Sequence, residues 1–266
     1  MKREYIRIPS PSLGHDMETL VFGETGKPVL VFPSQCGRFY DYENFDMPNT
    51  LSEFIDSGKI QLYCIDAVEN EAWFAENKAY EDKVRRAYEY ENSVVNDVIP
   101  YILADGHDGA GIMAHGCSYG AYHSIHFCLK YPHLFDSAIA LSGCYNMNFA
   151  IENPNDAYKF SPMLYSADLP DETVQKLKSS GLIICSGQGA WEEWTGEAIK
   201  TAENLQAKGL PVFLDLWGFD VAHDWPWWRK MIVYFMGKFD RLGCLSSRHK
   251  MTQQEANRLA FDFNAI

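Results

Sequence analysis

Short runs of apolar residues alternate with longer amphipathic stretches along most of the chain. The apolar runs carry few charges, which is typical of strands buried on both faces of a parallel sheet, and they fall at residues 29–32, 60–66, 111–114, 134–142, 182–186 and 212–217. Between them, the pattern predicts helices over 49–57, 81–103, 119–131, 195–208 and 226–239. An alternating pattern at 4–7 and 17–22 predicts an antiparallel hairpin at one sheet edge. Together these elements predict an α/β fold with a mostly parallel central sheet and helices on both faces.

Two segments stand outside this alternation. Residues 143–180 combine asparagine, proline and serine with scattered aromatic residues, and we interpret them as a short lid-like insertion. Within residues 241–266, Thr252 and Glu255 fit a capping box and predict a helix over 253–263. We therefore expect one domain over residues 1–240, followed by a C-terminal helical extension. This extension would dock on the domain or on a second subunit, which makes it a candidate contact for a homo-oligomer.

The composition narrows the possible partners. The 266 residues carry a formal net charge of -13 with a pI near 5.0, so nucleic acid and anionic membrane surfaces would repel this protein. The seven cysteines form no C-x-x-C pair and mostly lie in apolar runs, which indicates buried thiols in a reducing compartment. No stretch reaches membrane-spanning length, and residues 1–12 lack the apolar segment and cleavage site of a signal peptide. We therefore expect a cytoplasmic protein that acts on a small molecule.

The motif G-x-S-x-G occupies residues 116–120, where a predicted strand ends and a predicted helix begins. In α/β-hydrolases this pattern forms the nucleophile elbow, which makes Ser118 the candidate nucleophile. The free N–H groups and positive dipole end of the helix would favour the negative charge that develops during acyl transfer. The backbone N–H of Tyr119, with that of Gln35 or Cys36 in the loop after the first apolar run, is the candidate oxyanion hole. An ordinary turn is the alternative interpretation of that loop.

A histidine and an acid follow later strands in the order expected for a catalytic triad. His223 lies in the loop after the last predicted strand, and Glu192 and Glu193 lie in the loop after residues 182–186. Serine alone is too weakly acidic to attack a carbonyl, so the histidine must take its proton and a carboxylate must orient the imidazole. Glu192 is the first choice for that carboxylate and Glu193 the second, the alternative being that both are surface acids. Three further carboxylates rank lower: Asp215, Asp220 and Asp224.

Other side chains near these motifs have simpler explanations. The histidines on or before the elbow helix, His115, His123 and His126, suggest a metal site but lack carboxylates or cysteines at ligand spacing, so packing roles are favoured. Cys117 precedes the central position of the elbow. The aromatic residues Trp225, Trp227 and Trp228 suit either a binding platform or a helix face packed on the sheet. The predicted chemistry requires neither a metal nor an organic cofactor.

Four segments carry a resemblance to a known family. Residues 32–40, 116–123, 215–218 and 223–229 resemble the putative esterase family of α/β-hydrolases, which includes esterase D-like and feruloyl-esterase-like enzymes. The run HDWPWW is the most specific of these motifs. The resemblance extends to about Phe239 and leaves residues beyond Arg241 uncovered. It implies a serine carboxylesterase with Ser118 as nucleophile, His223 as general base and an acid within 187–193, a loop that varies in length among relatives.

These observations predict a serine carboxylesterase that hydrolyses a small or medium ester through an acyl-enzyme. An acyltransferase or an amide hydrolase would use the same triad, so both remain alternatives. A non-catalytic binding protein is the third, because a fold does not fix a function.

Overall fold

The computed structural model describes residues 1–261, and its centre is an eight-stranded sheet. The strands are β1 (Arg3–Ile8), β2 (Met17–Phe22), β3 (Lys27–Phe32), β4 (Ile60–Ile65), β5 (Ile112–Cys117), β6 (Phe135–Leu141), β7 (Gly181–Ser186) and β8 (Val212–Leu216). Their spatial order is β1-β2-β4-β3-β5-β6-β7-β8. β2 pairs antiparallel with β1 and β4, and the remaining pairs are parallel. The predicted α/β class, the mostly parallel sheet and the edge hairpin are confirmed.

Helices connect these strands. They are α1 (Asp41–Asn44), α2 (Met47–Thr50), α3 (Ser52–Asp56), α4 (Tyr80–Ser93), α5 (Ile99–Ile102), α6 (Tyr119–Lys130), α7 (Pro154–Phe160), α8 (Pro162–Tyr165), α9 (Asp171–Leu177), α10 (Thr195–Ala207), α11 (Trp225–Arg241) and α12 (Gln253–Phe261). Short 3₁₀ turns occupy Met147–Phe149 and Ser166–Asp168. Among the described residues, no helix is long and apolar enough to cross a membrane.

The crossover between β4 and β5 is the longest helical segment of the α/β alternation. Its helical turns widen to π geometry at Val94–Val98, and the helix breaks at Asp105 and Gly106, whose backbone angles are not helical. Pro100 lies in the first turn of α5, directly after the wide segment, where its missing N–H breaks no regular α-helical ladder. The sequence predicts a kink or a restart at this proline, and the structure accommodates it by the widened turn, with helical backbone angles at Ile99 before it and at Leu103 after it.

Helices cover both faces of the sheet. Leu30 of β3 packs in the cluster that holds Tyr90 of α4 and Ile125 of α6, whereas Val31 packs in the cluster that holds Met231 and Phe235 of α11. Because successive side chains of a strand point to opposite faces, each central strand is apolar on both faces over most of its length, which accounts for the apolar runs in the sequence. Helix α6, which follows Ser118, packs directly against β5 and β6.

The C-terminal extension packs on its own sheet. A Cβ atom on Gly181 of β7 would lie 2.8 Å from Met251 Cε and 3.0 Å from Leu259 Cδ2, so the extension lies directly on the start of this strand. The capping box forms as predicted, with the backbone N–H of Thr252 donating to Glu255 Oε2 at 2.8 Å. The predicted helix over 253–263 runs to residue 261, and its last two residues lie outside the described part. A role of this segment in a homo-oligomer stays a prediction, as does the lid role of residues 143–180.

Candidate active site

Ser118 lies at a sharp turn between β5 and α6. Its backbone has φ 57° and ψ -121°, a conformation that residues with a side chain rarely adopt. The motif glycines make this turn possible, because a Cβ atom on Gly116 would lie 2.3 Å from the backbone carbon of Gly120. A Cβ atom on Gly120 would in turn lie 2.3 Å from the carbonyl oxygen of Phe32. The G-x-S-x-G pattern therefore follows from close backbone contacts between β5, α6 and the end of β3.

The structure brings Ser118, His223 and Glu192 into one hydrogen-bonded row. The Ser118 Oγ atom lies 3.0 Å from His223 Nε2, and His223 Nδ1 lies 3.3 Å from Glu192 Oε2. A neutral imidazole that carries its proton on Nδ1 fits both contacts, because Nε2 then accepts from the serine and Nδ1–H donates to the carboxylate. The arrangement is that of a nucleophile, a general base and an orienting acid.

Backbone hydrogen bonds hold the acid loop and the histidine loop together. The N–H of His223 donates to the carbonyl oxygen of Ala190 at 2.9 Å, and the N–H of Gly189 donates to that of Val221 at 2.9 Å. A Cβ atom on Gly187 would lie 2.3 Å from the Val221 oxygen, so the two loops approach too closely for a larger residue there. The loops after β7 and β8 therefore form one backbone unit that carries both His223 and the acid.

Two adjacent glutamates point in opposite directions. The Glu192 side chain is 2% exposed and faces His223, whereas Glu193 is exposed. Trp191, with φ 62°, occupies the left-handed region just before them and reverses the chain at this point. The position of Glu192 matches the first choice made from the sequence, and Glu193 has no contact with the imidazole among the described hydrogen bonds and ion pairs.

A short hydrogen-bonded chain supports the Glu192 carboxylate. Oε1 accepts from Ser142 Oγ at 2.6 Å and from the Gly187 N–H at 3.1 Å, and the Trp228 indole N–H donates to Ser142 Oγ at 3.0 Å. Burial pushes the pKa of Glu192 upward, but the hydrogen bonds from His223 and Ser142 outweigh it, so the pKa lies below its ordinary value. The carboxylate is therefore ionised at neutral pH.

Sequence reasoning missed this support. Ser142 follows β6 and belongs to no motif, and the sequence predicts only a packing or platform role for Trp228. The Trp228 ring also packs edge-on against the His223 ring, with 4.9 Å between centroids. Trp228 follows His223 by five residues within the HDWPWW run, and this spacing is the sequence signal that could have indicated the contact between the two side chains. Of the lower-ranked acids, Asp224 caps α11 by accepting from the Trp225 N–H at 2.7 Å.

The loop after β3 lies against the elbow. Ser34 Oγ donates to the Cys117 carbonyl oxygen at 3.3 Å, which fixes the loop beside the turn. Because Tyr119 is the first residue of α6, its backbone N–H has no hydrogen-bond acceptor within the helix. Gln35 is exposed, and the half-buried Cys36 has φ 55°. The structure thus brings the elbow and the nominated loop together, and the oxyanion roles of Tyr119, Gln35 and Cys36 stay a proposal.

The histidines considered for a metal site are packed elsewhere. His115 Nδ1 pairs with the Ile139 carbonyl oxygen at 2.8 Å inside the sheet, and burial lowers the pKa of its imidazole to about 4. His123 Nε2 pairs with Glu69 Oε1 at 3.0 Å, and burial lowers the pKa of His126 to about 4. His115 on β5 packs against the Tyr42 ring, and His123 on α6 packs against the Phe32 ring, so these contacts are those of packing residues.

Comparisons with known proteins agree with this geometry. A family model described as "Putative esterase" matches residues 10–239. A solved ferulic acid esterase aligns with TM-score 0.69 at 15% identity and covers 88% of this chain and 95% of its own. The S-formylglutathione hydrolase from Staphylococcus aureus aligns with TM-score 0.63 at 17% identity, covering 89% and 98%. A search of curated proteins found no match. At these identities the structural likeness shows a shared fold.

Proposed function

The chain belongs to the putative esterase family and is a serine hydrolase of carboxylic esters with the α/β-hydrolase fold, and we propose that it works through an acyl-enzyme on Ser118. His223 and Glu192 complete the proposed triad. The observation that carries the proposal is the continuous row from Ser118 Oγ through His223 to Glu192, with separations of 3.0 and 3.3 Å. A binding protein without catalysis would not need a nucleophile, a base and an ionised buried acid in line.

The proposed reaction has two halves. In the first, Ser118 Oγ attacks the ester carbonyl carbon while His223 Nε2 takes the serine proton, and the tetrahedral oxyanion then collapses as the C–O bond to the alcohol breaks. His223 returns the proton to the departing alcohol. In the second half, water attacks the acyl-enzyme with the same base, and the acid product leaves with Ser118 restored. Glu192 stabilises the imidazolium in both halves.

Backbone N–H groups would stabilise the oxyanion. Tyr119 offers one, at the positive end of α6, and either Gln35 or Cys36 offers the second from the adjacent loop. Loss of one such donor costs on the order of 10²–10³ in kcat in serine hydrolases. Since these are backbone donors, they are tested through a covalent inhibitor complex rather than through side-chain substitution.

The surroundings of the triad support an acyl group with a flat apolar part. The Trp194 ring lies 5.7 Å from the His223 ring and 6.4 Å from Phe149, and Phe149 lies 6.2 Å from Phe74. Phe149 is 51% exposed, so this aromatic row is open to solvent beside the histidine. One similar solved structure is named for an aromatic acid. We therefore propose a small or medium ester, with aromatic acyl groups preferred.

The central test is ester turnover with and without the nucleophile. We expect the wild type to hydrolyse p-nitrophenyl acetate and Ser118→Ala to lose on the order of 10⁶-fold in kcat, as triad deletions do. A fluorophosphonate probe should label the wild type on Ser118 and leave the variant unlabelled. Circular dichroism checks that the variant is folded. A folded Ser118→Ala that keeps full activity would rule out this serine.

The aromatic row has a separate test. Trp194→Ala should raise KM for an aromatic acyl ester by about two- to tenfold, the worth of a lost aromatic contact, and should leave acetyl ester turnover nearly unchanged. An equal effect on both esters would argue against an acyl-binding role.

Partition of the acyl group between water and added alcohols or amines distinguishes the hydrolase from the acyltransferase alternative, and turnover of the matching amide tests the amide hydrolase.

A further inference from the structure

Three side chains with metal-binding chemistry meet where the C-terminal extension joins the sheet. Cys244, His249 and Glu255 each offer one ligand atom, and these atoms all lie within 4.8 Å of one another. No other such group of three histidine, cysteine or acidic side chains occurs within residues 1–261. The cluster lies near the amino ends of the parallel strands, whereas Ser118 and the acid loop follow their carboxyl ends. It is therefore separate from the candidate active site.

The cluster contains a buried imidazole nitrogen that faces a carboxylate but lacks a well-directed hydrogen bond. Cys244 is 1% exposed, and His249 Nε2 is buried. Nε2 lies 3.3 Å from Glu255 Oε2, within ion-pair range, yet it makes no hydrogen bond to any described residue. Buried polar atoms are almost always satisfied, and an exception often marks an ion or a water. A cation held between the three side chains would give this nitrogen a directed bond.

The donor set selects the metal. A thiolate, an imidazole and a carboxylate are the ligands that Zn²⁺ prefers, whereas Mg²⁺ and Ca²⁺ take oxygen ligands. Bonds of about 2.0–2.3 Å to a tetrahedral zinc place ligand atoms roughly 3.5 Å apart. The observed limit of 4.8 Å therefore requires the ligand atoms to close by about 1.3 Å at most. Three protein ligands leave the fourth position to water.

The existing contacts of these residues are compatible with a metal. Glu255 Oε2 accepts from the N–H and the hydroxyl of Thr252, both at 2.8 Å. A carboxylate offers about four lone-pair positions on two oxygens, so it can cap α12 and bind a cation together. The nearby Lys27 ammonium is neutralised by Asp136, with Nζ and Oδ2 2.6 Å apart. Its positive charge therefore opposes a cation only weakly.

We propose that Cys244, His249 and Glu255 form a zinc site that braces the C-terminal extension internally, by joining the segment after α11 to α12. This site does not depend on the esterase activity, and it adds a metal where the sequence alone predicts none. The spacing of four residues between Cys244 and His249, and of five between His249 and Glu255, matches no pattern singled out in the sequence.

Zinc binding should release a proton. A free cysteine thiol is mostly protonated at neutral pH, whereas zinc is bound by the thiolate. On binding, the Cys244 S–H bond breaks, the proton goes to solvent and the sulfur binds Zn²⁺.

The test uses the full chain, stripped with a chelator and titrated with Zn²⁺. Calorimetry and elemental analysis should give one zinc per chain, and Tm should rise with the zinc concentration. Co²⁺ in place of Zn²⁺ should produce a thiolate-to-metal charge-transfer absorption. Cys244→Ser should abolish this absorption, and His249→Ala should weaken zinc binding at least tenfold. His15→Ala, which removes an exposed histidine elsewhere, is the control and should bind zinc as the wild type does.

Glu255→Gln separates the metal role from the helix cap. Glutamine also serves in a capping box, so this variant keeps α12 capped while it loses the anionic ligand. We expect it to retain the metal-free Tm within a few degrees and to lose most of the zinc-dependent rise. The proposal is overturned if the wild type binds no zinc, if the Co²⁺ protein lacks the thiolate absorption, or if Cys244→Ser binds zinc as tightly as the wild type. Absence of the thiolate absorption in the wild type overturns the proposal even where a variant fails to fold, and its loss in a folded variant assigns the absorption to this site.

Discussion

Glu192→Gln is the substitution that tests the proposed triad most sharply. The Oε1 position accepts from the Gly187 backbone N–H, a donor that cannot reverse its direction. The glutamine amide must therefore place its oxygen at Oε1 and its NH₂ group at Oε2, where it faces His223 Nδ1. An amide N–H there donates to Nδ1 and forces the imidazole proton onto Nε2. The histidine then presents an N–H to Ser118 Oγ and cannot accept the serine proton.

The expected loss follows from this change of tautomer. An acid-to-amide change in another serine hydrolase, which leaves the geometry intact, lowers kcat about 10⁴-fold, or about 5.4 kcal/mol of activation free energy at 1.36 kcal/mol per tenfold. We expect a loss of that order in Glu192→Gln. Glu193→Gln is the matched control, because it makes the same change one residue away on an exposed side chain, and it should stay within about twofold of the wild type.

The assay should use an alkyl ester as well as p-nitrophenyl acetate. A p-nitrophenolate leaves without a proton, so it understates the loss of the general acid, whereas an alkoxide needs the proton that His223 returns. Nitrogen-15 NMR of the His223 ring reports the tautomer directly. Retention of activity within tenfold in Glu192→Gln, or a large loss in Glu193→Gln instead, would refute the assignment of the acid.

Three further predictions concern stability. Because folding lowers the pKa of Glu192, its ionised form stabilises the folded state above the unfolded pKa, and this contribution is lost as pH falls through the folded pKa. The difference in unfolding free energy between the wild type and Glu192→Gln, measured with urea, should therefore become smaller in acid. Gly120→Ala places a Cβ atom 2.3 Å from the Phe32 oxygen and should cost about 1–3 kcal/mol or more in urea unfolding, together with esterase activity. Lys27→Met leaves the Asp136 carboxylate without its buried partner and should lower the free energy of unfolding by about 3–5 kcal/mol; an unchanged Tm would contradict this.

The strands were predictable because burial on both faces requires a continuous apolar run, as in residues 29–32. The capping box of α12 was predictable because it is local. The wide helical turns around Pro100 were not, since they depend on how the crossover packs. The choice between Glu192 and Glu193 depends on the left-handed Trp191 and on two loops that meet only in space. Ser142 was invisible for the same reason: its role comes from the Trp228 indole and the Glu192 carboxylate on other elements.

The backbone hydrogen bonds between the loops after β7 and β8 have a consequence for transplanting the site. Since Gly189 bonds to Val221 and Ala190 to His223, one hydrogen-bonded pair of loops carries both the acid and the base. The Glu192 carboxylate is tied in addition to Ser142, which follows β6. Any graft of these loops into another scaffold must therefore carry both loops as a pair, together with a serine at the position of Ser142.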